Sequence, residues 1–100
     1  MEAYHTLQDI DFVWDAGKAE RNWRKHGISF LMACEAFFDP FLVSLENEFV
    51  DGEERHRVIG MTHAWQVLYV VYVWRGDVIR LISVRLATGY ERQAYESGTA

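Results

Sequence analysis

The chain is expected to fold as an α+β domain. The expected parts are an antiparallel β-sheet, an N-terminal αα-hairpin on one of its faces and a short C-terminal helix. Three observations lead there. Val67 to Arg85 is two runs of β-branched and aromatic residues split by Gly76-Asp77, which reads as a tight β-hairpin. Two consecutive segments, Ala16 to His26 and Phe30 to Phe37, carry helical apolar spacing, each behind a capping residue and ahead of a stop. The chain has 100 residues, half of them apolar, enough for a single small domain spanning 1–100.

Taken in order, residues 1–9 read as a loosely attached leader, and Ile10 to Trp14 as a short strand. Asp15 is an N-cap, and the helix it opens runs to His26 and stops at Gly27, a residue suited to a left-handed end. On that helix Ala16, Ala19 and Trp23 are expected to be buried, with Lys18, Asn22 and Lys25 on the opposite side. Ser29 caps a second helix that turns Phe30, Ala33, Cys34 and Phe37 to one face and ends at Asp39-Pro40. Phe41 to Leu45 reads as a strand and the acidic stretch Glu46 to Glu54 as an exposed loop. Arg55 to Met61 is the next strand, followed by a turn at His63-Ala64-Trp65 into the long hairpin. Thr88-Gly-Tyr-Glu91 matches a capping box, so a last helix runs to about Ser97 and ends at Gly98.

With a two-residue loop in the hairpin, Arg75 faces Val78, and the pairs 73/80, 71/82 and 69/84 follow. That register places Arg75 and Arg80 on one face and Arg85 on the other. An arginine fixed on a strand needs a carboxylate, water or a phosphate, because an unpaired buried charge is costly.

Composition removes several functions. No apolar run is long enough for a membrane helix, and no basic-then-apolar leader is present, so a cytoplasmic location is expected. The single cysteine, Cys34, lies in an apolar helical stripe and is expected to be a buried, inert thiol. The four histidines are scattered and no zinc spacing, P-loop, dinucleotide glycine pattern or nucleophile elbow occurs, so neither a metal nor a cofactor is expected. A formal net charge of −5 argues against broad nucleic-acid binding but leaves room for a local basic patch.

The candidates for chemistry are a cationic set, Lys18, Lys25, Arg55, Arg57, Arg75, Arg80, Arg85 and Arg92, with His26 and Tyr95 as groups that move protons. Guanidinium is planar, stays charged and binds phosphate bidentately. Several arginines at one end of a sheet could stabilise the charge of a phosphorane transition state. The competing reading pairs each arginine with one of the fifteen acidic residues on a wet surface. Glu91 is expected to serve its capping box, and Tyr95 is open between the core and an acid in the site.

Phe12-Val-Trp-Asp15, Lys25-His26-Gly27-Ile28-Ser29-Phe30, Phe38-Asp39-Pro40, Ile59-Gly60, Ile79-Arg80-Leu81-Ile82-Ser83, Arg85-Leu86-Ala87-Thr88 and Glu91-Arg92 with Tyr95 together resemble the BrnT toxins, over about residues 10 to 96. The resemblance implies a RelE-like fold and a metal-independent endoribonuclease that blocks translation. It also implies an RNA substrate and a cognate BrnA-type antitoxin, a ribbon-helix-helix protein that binds DNA and neutralises the toxin in a hetero-oligomer. By position, the residues at stake are Lys25, His26, Arg55, Arg75, Arg80, Arg85, Glu91 and Tyr95. The chain also departs from the pattern. Trp65-Gln66 stands where Gly-Arg is common, Val73-Trp74 replaces Thr and a polar residue, and Val84 replaces Ala. The hairpin is therefore more apolar and less cationic than the family's.

The expected reaction is attack of a ribose 2′-hydroxyl on the adjacent phosphorus. His26, Arg55, Arg80, Arg85 and Tyr95 would be catalytic, with His26 or Tyr95 moving protons, while Lys25 and Arg75 hold substrate. The alternative class is a non-catalytic binding module that acts only inside a regulatory complex, which the net charge and the neutral Gln66 favour.

Overall fold

A computed structural model describes residues 1–98. One six-stranded sheet has the order β1-β2-β6-β5-β4-β3. The strands are β1 (Glu2–Leu7), β2 (Ile10–Asp15), β3 (Val43–Val50), β4 (Glu53–Met61), β5 (Val67–Arg75) and β6 (Val78–Leu86). The helices are α1 (Ala16–His26), α2 (Phe30–Ala36) and α3 (Gly89–Ser97). The sheet is mixed rather than antiparallel, because β2 runs parallel to β6, pairing Asp11 to Val13 with Val78 to Arg80.

The chain opens on strands, so the helix pair is not N-terminal. It is also no hairpin: α1 packs on β6 and β2, α2 on β4, β5, β6 and β1, and the two helices hardly touch each other. The supposed leader is β1, paired antiparallel to β2 through a turn at Gln8 and Asp9, both with positive φ, 48° and 67°. Ala3 and Leu7 on that strand pack against the core. The supposed acidic loop is the β3–β4 hairpin, closed at Asp51-Gly52 with φ of 52° and 76°, the residue pair best suited to a two-residue turn. Its acidic residues stay wet because β3 is an edge strand, where charge also discourages pairing with another chain.

The helix ends obey the caps. Asp15 Oδ2 accepts from the Lys18 amide at 2.9 Å, and the Gly27 N–H donates to Trp23 O at 2.8 Å with φ at 69°. Thr88 and Glu91 complete a capping box on α3. Phe12, Trp14, Ile28, Phe30, Ala33, Cys34, Val58, Leu68, Val70, Leu81 and Val84 form the core between the sheet and α1 and α2. Gly60 lets α2 come close. A Cβ there would lie 2.6 Å from Ala36 O and 2.8 Å from Leu42 Cδ1. Burial pushes the Cys34 thiol up to about 12, so it is inert at neutral pH.

The buried stripe of α1 is rotated from its expected phase. Trp23 is 54 % exposed, whereas Asn22 is 9 % exposed and faces β6. Beyond Arg80, β6 has no neighbour on its β2 side, so the Val84 backbone needs another partner. The Asn22 carboxamide supplies it: Nδ2 donates to Val84 O at 2.8 Å and Val84 N donates to Oδ1 at 3.3 Å. Nδ2 also donates to Ile28 O at 3.2 Å. An indole, which only donates, could not answer both groups. Asn22→Ala should therefore cost about 2 kcal/mol by leaving a buried N–H and C=O unpaired; a urea midpoint unchanged from wild type would refute the assignment.

Candidate functional site

The hairpin keeps its expected register only near the turn. Arg75 pairs with Val78, Val73 with Arg80 and Tyr72 with Leu81, but Val71 pairs with Ser83 and Tyr69 with Arg85. Ile82 has no partner and forms a bulge, so the pairs expected at 71/82 and 69/84 do not occur. The extra residue flips the remainder of the strand. Val84 turns into the core opposite Val70, and Arg85 joins Arg75 and Arg80 instead of lying behind them. Arg57 pairs with Val71, which puts Arg57 and Arg55 on the same face. Five arginines thus share the sheet face opposite α1 and α2, and α3 caps one end of it through Arg85 and Glu91.

Most of these arginines already hold an acid. Arg75 reaches Glu53 at 2.8 Å and Arg80 reaches Glu2 at 2.8 Å. Arg85 grips Glu91 through two bonds of 2.7 and 2.9 Å. Arg57 Nε donates to Glu46 O at 2.9 Å and lies 3.1 Å from Glu48. Pairs exposed to this degree are worth about 0–1 kcal/mol each, so a phosphate could displace them. Arg55 differs: its Nε is buried with no partner, and among the described residues its side chain makes no hydrogen bond or ion pair. An unanswered cationic donor inside an arginine cluster is a place for an anion.

Tyr69 ties two arginines together. The Arg85 guanidinium stacks 4.0 Å from the ring centroid, and the Tyr69 hydroxyl lies beside Arg57. That hydroxyl, then the carboxylates of Glu48 and Glu46, raise the Arg57 pKa against the effect of burial. Bonds to Glu2 and to Glu91 likewise raise Arg80 and Arg85. The cluster is permanently charged. Arg57 stood among the cationic candidates but not in the expected site, and Tyr69 stood in neither; the bulge that seats Arg85 on the tyrosine leaves no glycine or proline to announce it.

The remaining expected residues lie elsewhere. Lys25 and His26 close α1, which packs on the other side of the sheet, and neither makes a hydrogen bond or ion pair among the described residues. Tyr95 donates to Asp39 Oδ2 at 2.5 Å, and Asp39 also accepts from the Met61 amide at 2.7 Å and the Phe41 amide at 2.9 Å. Burial, then the bond to Asp39, pushes the Tyr95 phenol up to about 12, so it stays protonated at neutral pH and anchors α3. Among the described residues no group of three or more His, Cys, Asp or Glu is placed to hold a metal ion.

The fold and this face define a small α+β domain with arginines clustered on one sheet face, partly capped by a C-terminal helix. Residues 14–91 match the model of the ribonuclease toxin BrnT of type II toxin–antitoxin systems, and the chain belongs to that family. The fold is similar to the crystal structure of the Brucella abortus ribonuclease toxin BrnT, with a TM-score of 0.51 at 22 % identity, covering 75 % of this chain and 92 % of that one. No curated protein matches. Family membership implies an antitoxin partner and an RNA target. No helix is long and apolar enough to cross a membrane.

The Arg85–Glu91 pair sets an acid limit. Burial would raise the Glu91 pKa, but the bonds from Arg85 and the Thr88 amide outweigh it and lower the pKa below 4.5. A depressed carboxyl stabilises above its unfolded pKa, and that contribution disappears as the pH falls through the folded value. Glu91→Gln should therefore unfold at lower urea than wild type at neutral pH, with the gap closing in acid. An equal gap at both would refute the assignment.

Proposed function

We propose that the chain is a metal-independent endoribonuclease toxin, neutralised by a BrnA-type ribbon-helix-helix antitoxin. The observation that carries this reading is Arg55, a half-buried arginine whose Nε has no partner, set among four other arginines on one sheet face. Successive phosphates of an RNA chain laid along this face would meet Arg55 and exchange carboxylates for phosphate oxygens at Arg57, Arg75, Arg80 and Arg85. The 2′-hydroxyl attacks the adjacent phosphorus and the bond to the 5′-oxygen breaks, leaving a cyclic phosphate and a 5′-hydroxyl. Fixed guanidinium groups stabilise the charge that grows on the equatorial oxygens, and holding the chain in line contributes further.

Proton transfer falls to His26 in this reading. Guanidinium stays protonated, and the Tyr95 hydroxyl is engaged with Asp39. Asn22 holds the Val84 backbone next to Arg85, and His26 lies one helical turn beyond Asn22. The end of α1 therefore reaches the stretch of β6 that bears Arg85, and RNA passing over this edge would meet both. Lys25 adds a charge there.

One observation favours the second reading, a binding module without catalysis: four of the five arginines hold acids, and neither His26 nor Tyr95 sits among them. Purified protein incubated with RNA in EDTA separates the two. The nuclease predicts cleavage that survives the chelator and falls by about a hundredfold or more in Arg55→Ala and in Arg80→Ala. Intact RNA beside a folded, antitoxin-binding protein would leave only the module, and cleavage abolished by EDTA would make the reaction metal-dependent.

A further inference from the structure

We infer that the groove between β1 and the β5–β6 hairpin is a nucleotide subsite for single-stranded RNA. Tyr4 would stack on a base there while Arg75 and Arg80 hold the adjoining phosphate. The inference rests on the ribonuclease reading and extends substrate contact to β1, which lies outside the matched residues 14–91. The groove has a volume of about 510 Å³ and is lined by Glu2, Tyr4, Val13, Arg75, Val78 and Arg80.

The pairing registers make one row across three strands. Tyr4 lies opposite Val13, and Val13 lies opposite Arg80. Neighbouring strands are about 4.8 Å apart, so Tyr4 and Arg80 begin about 10 Å apart, a distance that a base, sugar and phosphate bridge. Val13 and Val78 form an apolar floor between them. The Tyr4 side chain is 76 % exposed, an aromatic ring held on a paired strand with most of its surface open to water. A ring so placed beside arginines is the arrangement that stacks unpaired bases without sequence preference. Duplex RNA, whose bases are stacked on each other, offers no ring to Tyr4.

Glu2 stands where the phosphate would. Its Oε2 accepts from Arg80 Nη1 at 2.8 Å, and Glu53 does the same for Arg75 at 2.8 Å. Both pairs are partly exposed and therefore weak. A phosphodiester takes over the Arg80 guanidinium and the strand pairing of β1 is left intact.

The test uses the full chain and a short single-stranded RNA carrying 2′-O-methyl groups, which binds but cannot be attacked, titrated by fluorescence anisotropy. Tyr4→Ala should weaken binding about tenfold and Tyr4→Phe should keep it, because the ring and not the hydroxyl stacks. Glu2→Gln should tighten binding about threefold by removing the competing carboxylate. Thermal stability should stay at the wild-type value in all three. Equal binding by wild type and Tyr4→Ala overturns the subsite, and if Arg80→Ala still weakens binding, the groove is an anion patch only. Cleavage of unmodified RNA lost in Arg55→Ala but untouched in Tyr4→Ala leaves the ribonuclease standing without the subsite. Tyr4-dependent binding with no cleavage keeps the subsite and removes the ribonuclease. No binding by wild type or Glu2→Gln removes the subsite, and the ribonuclease falls with it when unmodified RNA is also left intact.

Discussion

One unpaired residue, Ile82, decides which way half of β6 faces. Side chains alternate along a strand, so a single insertion exchanges the two faces from that point onward. Before the bulge β6 sends Ile79 and Leu81 to the core and Arg80 outward; after it Val84 goes inward and Arg85 outward. Without the bulge the core would have to accept Arg85 in place of Val84, which would bury a charge among apolar side chains. The same irregularity lies near the point where β2 stops pairing with β6, which leaves the Val84 backbone open for Asn22. The inward turn of Val84 and the placement of Arg85 beside the other arginines are therefore consequences of one register shift.

The arginine face carries far less field than its count suggests. Glu2, Glu48, Glu53 and Glu91 each neutralise one guanidinium, and the whole chain bears a net charge of −5. Long-range steering of RNA is correspondingly weak. Recognition has to happen at contact, where a phosphate offers more charge and more acceptor oxygens than the carboxylate it replaces. The pairs are not equivalent in this respect. Glu91 is 14 % exposed, bidentate and part of the α3 cap, so its removal would loosen a helix, whereas Glu2 and Glu53 come from more open positions and can swing away.

Much of the fold was legible because local chemistry agreed with the outcome. The caps at Asp15, Ser29 and Thr88, the left-handed stops at Gly27 and Gly98, and the Gly76 turn all carry their conformation in their own residue types. What was missed depended on partners distant in sequence. β1 reads as polar because one of its faces is wet, and its turn uses Gln8 and Asp9 where glycine would have signalled a hairpin. Asp51-Gly52 was a visible turn signal, hidden by the acidity of the strands around it. Trp23 outranks Asn22 on any apolar scale, yet only the amide satisfies a strand edge 62 residues away. At the site, the identity of the arginines was readable; their common face was not, since it depends on a bulge at an ordinary isoleucine. Trp65 shows a departure with a physical consequence. It adopts φ of 65° with its side chain 80 % exposed, where a glycine would sit without strain.

The placement of the titratable groups narrows what kind of catalyst this face can be. Acid–base catalysis needs a group that changes protonation near neutral pH within reach of the reacting oxygens. The arginines remain charged, Tyr95 is held protonated by burial and by Asp39, and His26 stands at the end of a helix on the far side of the sheet. Electrostatic stabilisation needs none of these to titrate; it needs donors already fixed where charge will develop. Side chains on β4, β5 and β6 meet that requirement, because strand pairing sets their spacing before any substrate arrives. Strand pairing thus suits this face to electrostatic stabilisation more than to proton transfer. In the nuclease proposed above, proton movement by His26 requires RNA that bends around the β6 edge towards α1, so the path of the strand, rather than the pKa of any one side chain, separates that nuclease from a protein that only holds RNA.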